Sequence, residues 1–254
     1  MKLLVLPDIH GRKFWKQPCE HIDDYEKVIF LGDYFDPYRH EHITFQEAID
    51  NFNEIIELKQ HNMEKVVLLL GNHDLPYFSK DYYRFLSYHS RHSNEYHAQI
   101  AALFEDNRDF FKIAHVEDDV LFTHAGVDIG WLRLTVKCES TDITEIANQL
   151  NSLIETSQGF AKLAFVSWSR GGNDKYASCV WTDVQDMMHS TSFPIEDNPI
   201  KNLKQVFGHT LQAYYAKDNM TVLYGKAIEF DNCKMLDNAE AYELDTESFT
   251  IKQI

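Results

Sequence analysis

One short pattern occurs five times in this sequence: an apolar run, then Gly, Pro or Thr, then a cluster rich in Asp, His or Asn. The longest example is 66–74, VVLLLGNHD, in which five apolar residues end at Gly71. An apolar run with β-branched residues, bounded by glycine, is typical of a strand buried on both faces. Functional groups in layered α/β folds gather at the carboxyl ends of strands, so the pattern predicts a site at one sheet edge. For Asn72 to Asp74 alone, a simple turn is the alternative interpretation.

The other four examples are 3–11 (LLVLPDIHG), 27–36 (KVIFLGDYFD), 120–126 (VLFTHAG) and 205–210 (QVFGHT). A helix is predicted at 43–61, because its apolar residues fall on one helical face and Thr44 with Glu47 matches a capping box. This helix separates the strands predicted at 27–31 and 66–70. The order strand, helix, strand favours parallel pairing of those two strands.

The rest of the chain shows weaker patterns for helices and strands. Further helices are predicted at 96–111 and 141–154, and a hairpin is predicted from strands at 113–116 and 120–122. Short strands are expected to close an antiparallel edge, at 220–224, 227–230 and 241–244, joined by turns such as 231–232.

An irregular stretch, 167–199, is interpreted as part of a substrate-shaping insertion at about 130–200. It is not interpreted as a linker, because Trp168, Trp181 and Met187 can still pack on the core. A chain of 254 residues is at the upper end of a single domain. We therefore expect one domain over 1–254.

Composition excludes several classes of protein. The net charge of −16 argues against a nucleic-acid partner, because phosphate backbones select basic surfaces. Four scattered cysteines without a CxxC pair argue against a zinc ribbon or redox motif and fit a reducing compartment. The apolar run at 3–6 is too short for a secretory signal, and no stretch approaches the roughly 18 apolar residues of a membrane span. The cytoplasm is the expected location.

Six oxygen and nitrogen donors follow the five apolar runs: Asp8, His10, Asp33, Asn72, His124 and His209. Such a set without thiolate suits Mn²⁺, Fe, Zn²⁺ or Co²⁺. For the Asp8 and His10 pair alone, a polar turn is an equal alternative. Six ligands suit two ions that share a carboxylate, and ions about 3.5–4 Å apart are used for in-line attack on phosphorus.

Taken in order, DIHG (8–11), GDYFD (32–36), GNHD (71–74), THAG (123–126) and GHT (208–210) resemble the signature of the calcineurin-like metallophosphoesterases. The resemblance implies an α/β (α+β) fold: a four-layer αββα sandwich of two mixed β-sheets flanked by helices. It also implies a dinuclear centre of Mn²⁺, Fe²⁺/Fe³⁺ or Zn²⁺ at the strand ends. In such a centre, a hydroxide that bridges the metals attacks the phosphate ester in line.

Carried over to this chain, the resemblance gives each motif residue a role. Asp8 and His10 would bind the first metal, and Asp33 would bridge both. The second metal would be completed by Asn72, His124 and His209. His73 would protonate the leaving group, oriented by Asp36.

Two departures from the family pattern are informative. Leu211 stands where many members have a further histidine, which brings the chain closer to serine/threonine protein phosphatases and symmetrical dinucleoside tetraphosphatases than to nuclease-type phosphodiesterases. Pro37 and Tyr38 stand where those relatives carry Arg-Gly, whose guanidinium grips phosphate. The candidates to replace that arginine, each with a solvated surface position as the alternative, are Arg12, Arg39 and Arg170.

These features predict a metal-dependent phosphoesterase that hydrolyses phosphomonoesters, with a phosphoprotein or a small phosphorylated metabolite as substrate. The alternative is a pyrophosphohydrolase or phosphodiesterase acting on dinucleoside polyphosphates or nucleotides. A non-catalytic binding module is disfavoured, because it would be expected to lose ligands and all six are retained. No membrane partner is expected.

Overall fold

The structure, a computed structural model, describes residues 1–79, 83–187, 203–210, 228–230, 233–236 and 239–254. Parts of the sequence-based expectations lie outside these residues. They are the strand at 220–224, the turn at 231–232, the end of the insertion at 188–200, and position 211.

The strands of the described chain are β1 Lys2–Leu6, β2 Lys27–Phe30, β3 Val66–Leu69, β4 Phe111–Lys112, β5 Ala114–Glu117, β6 Val120–Thr123, β7 Lys204–Phe207, β8 Ile228–Phe230, β9 Cys233–Met235, β10 Tyr242–Asp245 and β11 Thr250–Gln253. The α-helices are α1 Lys16–Cys19, α2 Phe45–His61, α3 Leu75–Phe78, α4 Tyr83–Leu86, α5 His97–Asp106, α6 Ile129–Trp131, α7 Ile143–Asn151 and α8 Ser157–Leu163. A π-helical turn, Leu132–Val136, follows α6. Short 3-10 turns occupy Ile22–Asp24, Arg39–Glu41, Ser87–His89, Arg108–Phe110, Ser152–Glu155 and Trp168–Arg170.

Two mixed sheets contain these strands. The first has six strands in the order β11-β10-β1-β2-β3-β4, and the second has five in the order β5-β6-β7-β9-β8. Strands β1 to β4 are parallel, and the predicted parallel pairing of β2 with β3 is confirmed by the register Val28 opposite Val66. The predicted hairpin is confirmed by antiparallel pairing of β5 with β6. The carboxyl ends of β1, β2 and β3 therefore meet at one edge of the first sheet.

Alternate residues of each central strand face two different cores. Leu3 and Val5 of β1 belong to a buried cluster that also contains Val120 and Phe122 of β6, so this cluster fills the space between the two sheets. Leu4 and its neighbours of the opposite face pack in the cluster that contains the apolar face of α2. This layering confirms the predicted sandwich of two mixed sheets flanked by helices.

The boundaries of two predicted helices are wrong. The helix predicted at 96–111 ends at Asp106, because Phe111 pairs with Leu68 and joins the first sheet as β4. The helix predicted at 141–154 ends at Asn151, whose side-chain oxygen accepts hydrogen bonds from the backbone N–H of Ile113 and Ala114, each at 2.9 Å. The helix α2 and its capping box are confirmed.

The described part of the predicted insertion packs on the core with one exception. Trp181 and Met187 are buried, as predicted, but Trp168 is 72% exposed. The 3-10 turn that carries Trp168 is held by the hydroxyls of Ser167 and Ser169, which donate to Asp186 at 2.7 and 2.8 Å. The turn is therefore fixed while the indole of Trp168 points outward. Among the described helices, none has the length and hydrophobicity that a bilayer crossing requires.

Candidate metal centre

Five strand ends bring the predicted ligands to one place. The side chains follow β1, β2, β3, β6 and β7, and five of them are at most 2% exposed: Asp8, His10, Asp33, Asn72 and His124. His209 is half-buried. Ionisable groups are rarely this buried without a partner of opposite charge or a cation.

Asp33 lies at the centre of the site. Its Oδ2 is 3.4 Å from the Nε2 of His10 and 3.4 Å from the Nε2 of His124. Two groups of donor atoms, each within 4.8 Å, share this residue: His10, Asp33 and His73 form one, and Asp33, His124 and His209 form the other. Two clusters that share one carboxylate are the arrangement that a pair of bridged cations requires.

Asp8 lies outside both of these clusters. It lines a cleft that His10 and Asp33 also line. Its Oδ2 accepts a hydrogen bond from the backbone N–H of His209 at 2.9 Å. This contact ties the loop after β1 to the loop after β7. Asp8 therefore joins the two sheets at the site.

Backbone carbonyls fix the orientation of two imidazoles. The Nδ1 of His10 donates to the carbonyl of Phe35 at 2.7 Å, and the Nδ1 of His124 donates to the carbonyl of Leu31 at 2.8 Å. Because a carbonyl only accepts, each Nδ1 carries the proton, and the lone pair of each Nε2 is available to a metal ion beside Asp33. Fixing the tautomer through the second nitrogen is the usual way in which proteins orient a metal-binding histidine.

The donors around His124 fit a metal ion. Its Nε2 lies 3.0 Å from the Oδ1 of Asn72 and 3.1 Å from the Nδ1 of His209, in addition to Asp33. The other ring nitrogen of His209, Nε2, is buried without a hydrogen-bond partner among the described residues. Nitrogen and oxygen donors gathered this closely could hold a metal ion.

The protonation states of Asp33, His10 and His209 also suit a cation. Burial raises the pKa of the Asp33 carboxyl, but the surrounding histidines outweigh burial and lower that pKa to about 2. Burial lowers the pKa of His10 and of His209 well below the usual imidazole value. An ionised carboxylate and neutral imidazoles are the forms that bind metal.

In the metal-free protein, we expect His10 and His209 to stay neutral as the pH falls through the range in which a free imidazole takes up its proton, because burial lowers the pKa of both. The unfolded chain would take up both protons near pH 6.5, so the free energy of unfolding should fall below that pH by up to ~1.4 kcal/mol per pH unit for each histidine. NMR titration of the imidazole signals, together with urea unfolding at several pH values, checks this. A midpoint near 6.5 for either residue, or stability that does not change with acid, would contradict it.

Backbone strain is concentrated at the site. Five residues of the polar clusters have a positive φ without being glycine: Asp8 (39°), His10 (46°), Asp33 (55°), Asp36 (57°) and His209 (68°). Each such residue costs about 1–2 kcal/mol relative to ordinary backbone. Cross-loop hydrogen bonds hold the strain, including the N–H of His10 donating to the carbonyl of Asp33 at 2.6 Å. Strain of this kind is typical of functional sites.

Asp74, the last letter of GNHD, links two loops of the site. It is fully buried, and its carboxylate accepts the backbone N–H of Asp33 at 2.7 Å, of Tyr34 at 2.9 Å and of Gly71 at 2.9 Å. Two of these donors follow β2, and the third follows β3. The sequence motif contains Asp74, but sequence reasoning assigned it no role.

Gly71 makes room for Asp33. The turn that the sequence offered at this point is present, because the N–H of Asp74 donates to the carbonyl of Gly71 at 3.2 Å. Gly71 is not among the glycines with positive φ, but a Cβ at this position would lie 2.1 Å from the Oδ1 of Asp33. Gly71 is therefore needed for the close approach of a neighbouring loop.

His73 is the first member of a buried hydrogen-bonded chain. Its Nδ1 lies 2.7 Å from the Oδ2 of Asp36, and the hydroxyl of Tyr77 donates to the Oδ1 of Asp36 at 2.6 Å. The Tyr77 hydroxyl in turn accepts the N–H of Ser93 at 2.8 Å. Both carboxylate oxygens of Asp36 are thus occupied, and the imidazole is fixed. Sequence reasoning missed Tyr77.

The three candidate arginines occupy different places. Arg170 borders the cleft, and its Nη2 donates to the carbonyl of His209 at 3.0 Å. Arg12 is held away, with its Nε donating to Glu41 at 2.8 Å and its Nη1 donating to the carbonyl of Asp8 at 3.0 Å. Arg39 is exposed, and it is not one of the described residues that line the cleft.

A fourth arginine, Arg91, was not among the sequence candidates. It borders the cleft, its Nε and Nη2 donate to the carbonyl of Asp36 at 3.0 and 2.8 Å, and its guanidinium lies 3.8 Å from the ring centre of Tyr38. The only sequence signal was its position in the aromatic and histidine-rich stretch after GNHD. The cleft itself has a volume of about 250 Å³.

Comparison with known proteins agrees with this site. The sequence profile of the calcineurin-like phosphoesterases matches residues 1–213, whereas no curated protein sequence matches the chain. The structure is similar to the cold-active protein-tyrosine phosphatase of a psychrophilic Shewanella species, with 14% identity, a TM-score of 0.56, and coverage of 99% of this chain and 80% of that one. It is also similar to a protein serine/threonine phosphatase from Saccharomyces cerevisiae with similarity to human phosphatase PP5, with 12% identity, a TM-score of 0.53, and coverage of 100% and 79%.

At such identities the two structural likenesses show the fold alone. The profile match covers all five motifs and most of the chain. This chain therefore belongs to the calcineurin-like phosphoesterase family and is a metal-dependent enzyme that hydrolyses phosphate esters.

Proposed function

We propose that this enzyme is a phosphatase that hydrolyses phosphomonoesters, carried by a phosphoprotein or a small phosphorylated metabolite. The observation that carries this proposal is the pair of guanidinium groups, Arg91 and Arg170, that border one cleft of about 250 Å³. A monoester presents a terminal phosphoryl group with up to two negative charges and one organic substituent. A diester has one charge and two substituents. A small cleft bordered by two guanidinium groups suits the monoester, and the carboxylates that also line it, Asp8 and Asp33, are proposed metal ligands.

The metal assignment is part of the same proposal. The proposed ligands are Asp8 and His10 for the first ion, Asn72, His124 and His209 for the second, and Asp33 for both. We propose Mn²⁺, Fe²⁺/Fe³⁺ or Zn²⁺ as the ions, because the donors are carboxylate, amide and imidazole. When bound, such ions supply Lewis-acid chemistry that acidifies water and offsets charge on the phosphoryl oxygens.

His73 is proposed to supply the proton to the leaving group. Asp36 lies at hydrogen-bond distance from its Nδ1, which leaves Nε2 to face the substrate and to deliver the proton. Arg91 and Arg170 are each anchored to a backbone carbonyl, of Asp36 and of His209 respectively. We propose that their remaining N–H groups bind the non-bridging phosphoryl oxygens, in place of the arginine missing after GDYFD.

The protein loaded with Mn²⁺ should hydrolyse phenyl phosphate with a kcat/KM well above that for bis(p-nitrophenyl) phosphate. Arg91→Lys keeps the charge but loses the planar fork, so it should lower kcat/KM for the monoester about tenfold and affect the diester less. Arg39→Lys, outside the cleft, is the matched control and should change neither. Steady-state kinetics with both substrates measure this.

Faster hydrolysis of the diester would reject the monoesterase assignment. Cleavage of a dinucleoside polyphosphate, followed by chromatography of the products, would instead favour the pyrophosphohydrolase alternative. We also propose a cytoplasmic location, because the sequence has four scattered cysteines and no CxxC pair, which fits a reducing compartment. Fractionation of cells that produce the full chain tests it.

A further inference from the structure

A second pocket adjoins the catalytic cleft. Its volume is about 470 Å³, against about 250 Å³ for the cleft. Trp181 borders both spaces. The segment 84–91 also borders both, because Phe85 and Leu86 line the pocket and Arg91 lines the cleft. The two spaces are therefore neighbours that share Trp181 as a lining residue and are both lined by residues of the segment 84–91.

The wall formed by Trp181 and the loop at 166–174 is preformed. Trp181 is 5% exposed, and its ring centre is 5.8 Å from that of His209. In the loop, a Cβ at Gly172 would lie 1.9 Å from the carbonyl oxygen of Val166, so the backbone is closely packed there. The Oδ2 of Asp174 accepts the N–H of Val166 at 2.9 Å. This wall belongs to the described part of the predicted insertion.

The opposite wall presents apolar surface to the pocket. Leu86 is buried at 3% exposure, whereas the ring of Phe85 is 66% exposed. A planar apolar group in the pocket would cover this ring. Aromatic rings gain from such contacts beyond the burial of their area.

The charges of the described pocket lining favour an uncharged occupant over a second phosphate. Among the described residues that line it, Arg84 is the one cation and Asp174 the one anion. A polyphosphate arm would need several cations, because a buried phosphate without them is strongly disfavoured. An uncharged aromatic group needs none, and the volume lies in the usual range for small-molecule sites.

We propose that this pocket binds the leaving group of the substrate, and that the leaving group is the aromatic portion of a phosphorylated aromatic alcohol. The inference rests on the proposed phosphomonoesterase function and names its substrate class. The phosphoryl group lies in the cleft, and the ring of the ester lies in the pocket against Phe85.

Two phosphomonoesters with leaving groups of similar acidity provide the test: phenyl phosphate and 2-naphthyl phosphate. With the Mn²⁺-loaded protein, we expect kcat/KM to be about tenfold higher for the naphthyl ester, because its second ring is buried. Phe85→Ala should lower kcat/KM for the naphthyl ester about fivefold and change the phenyl ester less. Leu134→Ala is the matched control, since Leu134 is also 66% exposed but lines neither space.

Binding of a phosphonate that cannot be hydrolysed separates the pocket from the chemistry. Isothermal titration should show 2-naphthylmethylphosphonate binding more tightly than methylphosphonate, with the difference reduced in Phe85→Ala and kept in Leu134→Ala. Equal affinity of the two phosphonates, or the same behaviour of both variants, overturns the inference. Binding that depends on Phe85, in a protein that hydrolyses no monoester, supports the pocket and rejects the proposed function.

Discussion

Replacing His73 with asparagine should lower kcat for an aryl phosphomonoester by about 10²–10⁴-fold, the usual contribution of general acid catalysis. Metal content should stay unchanged, because His73 is proposed as a proton donor and its Nδ1 is occupied by Asp36 at 2.7 Å. Steady-state kinetics with elemental analysis of the same preparations measure both quantities. His61→Asn, at the exposed end of α2, is the matched control and should alter neither.

The chain from His73 to Tyr77 predicts a graded response. Tyr77→Phe removes only the hydrogen bond to the Oδ1 of Asp36, so kcat should fall about tenfold, the value of one hydrogen bond to a charged group. KM should change little, since neither variant removes a group proposed to hold phosphate. Loss of metal from His73→Asn would overturn the role of His73, because His73 also lies within 4.8 Å of the donor atoms of His10 and Asp33.

The substitution Gly71→Ala should remove bound metal without touching a ligand. The new Cβ would lie 2.1 Å from the Oδ1 of Asp33, so the carboxylate must move. A displacement of about 1 Å in a reacting group typically costs about 10²-fold in rate, and the overpacking itself costs about 1–3 kcal/mol of stability. Elemental analysis and thermal unfolding, with and without added Mn²⁺, measure the two effects.

Gly171→Ala is the control for Gly71→Ala, because it introduces backbone strain without a steric clash. Gly171 has a φ of 75°, and nothing lies within 4 Å of the position of a Cβ there. This variant should lose about 1–2 kcal/mol of stability through strain but keep its metal. If Gly71→Ala binds metal as well as the parent protein, the explanation of Gly71 by close approach is wrong.

Local sequence rules located the strand ends but could not show which residues from other loops contact them. Asp33 and Asn72 follow buried apolar runs, and a buried strand brings its end to the edge of the sheet whatever the rest of the chain does. The helix between β2 and β3 carries the chain back to the end of the sheet where β2 began, so the two strands run parallel. These contacts depend on local pattern and on topology, which the sequence carries.

The remaining contacts depend on three-dimensional proximity between loops. Arg91 reaches the carbonyl of Asp36 across 55 residues, and Tyr77 reaches its carboxylate across 41. No periodicity in the sequence specifies such distances. The role of Gly71 depends on the loop that carries Asp33, which lies 38 residues earlier in the sequence. Phe111 was predicted to be helical, but it pairs with Leu68 at the edge of the first sheet. Tertiary packing overrides local propensity in cases of this kind.

The carboxylate of Asp74 has a consequence for engineering the site. It accepts N–H groups from the loops that follow both β2 and β3, so neither loop keeps its shape when the other is exchanged. A metal-binding loop transplanted from another phosphoesterase would need its counterpart transplanted with it. Variation in substrate preference is better sought in the segments 84–91 and 166–174, which border the reaction space without carrying the ligands.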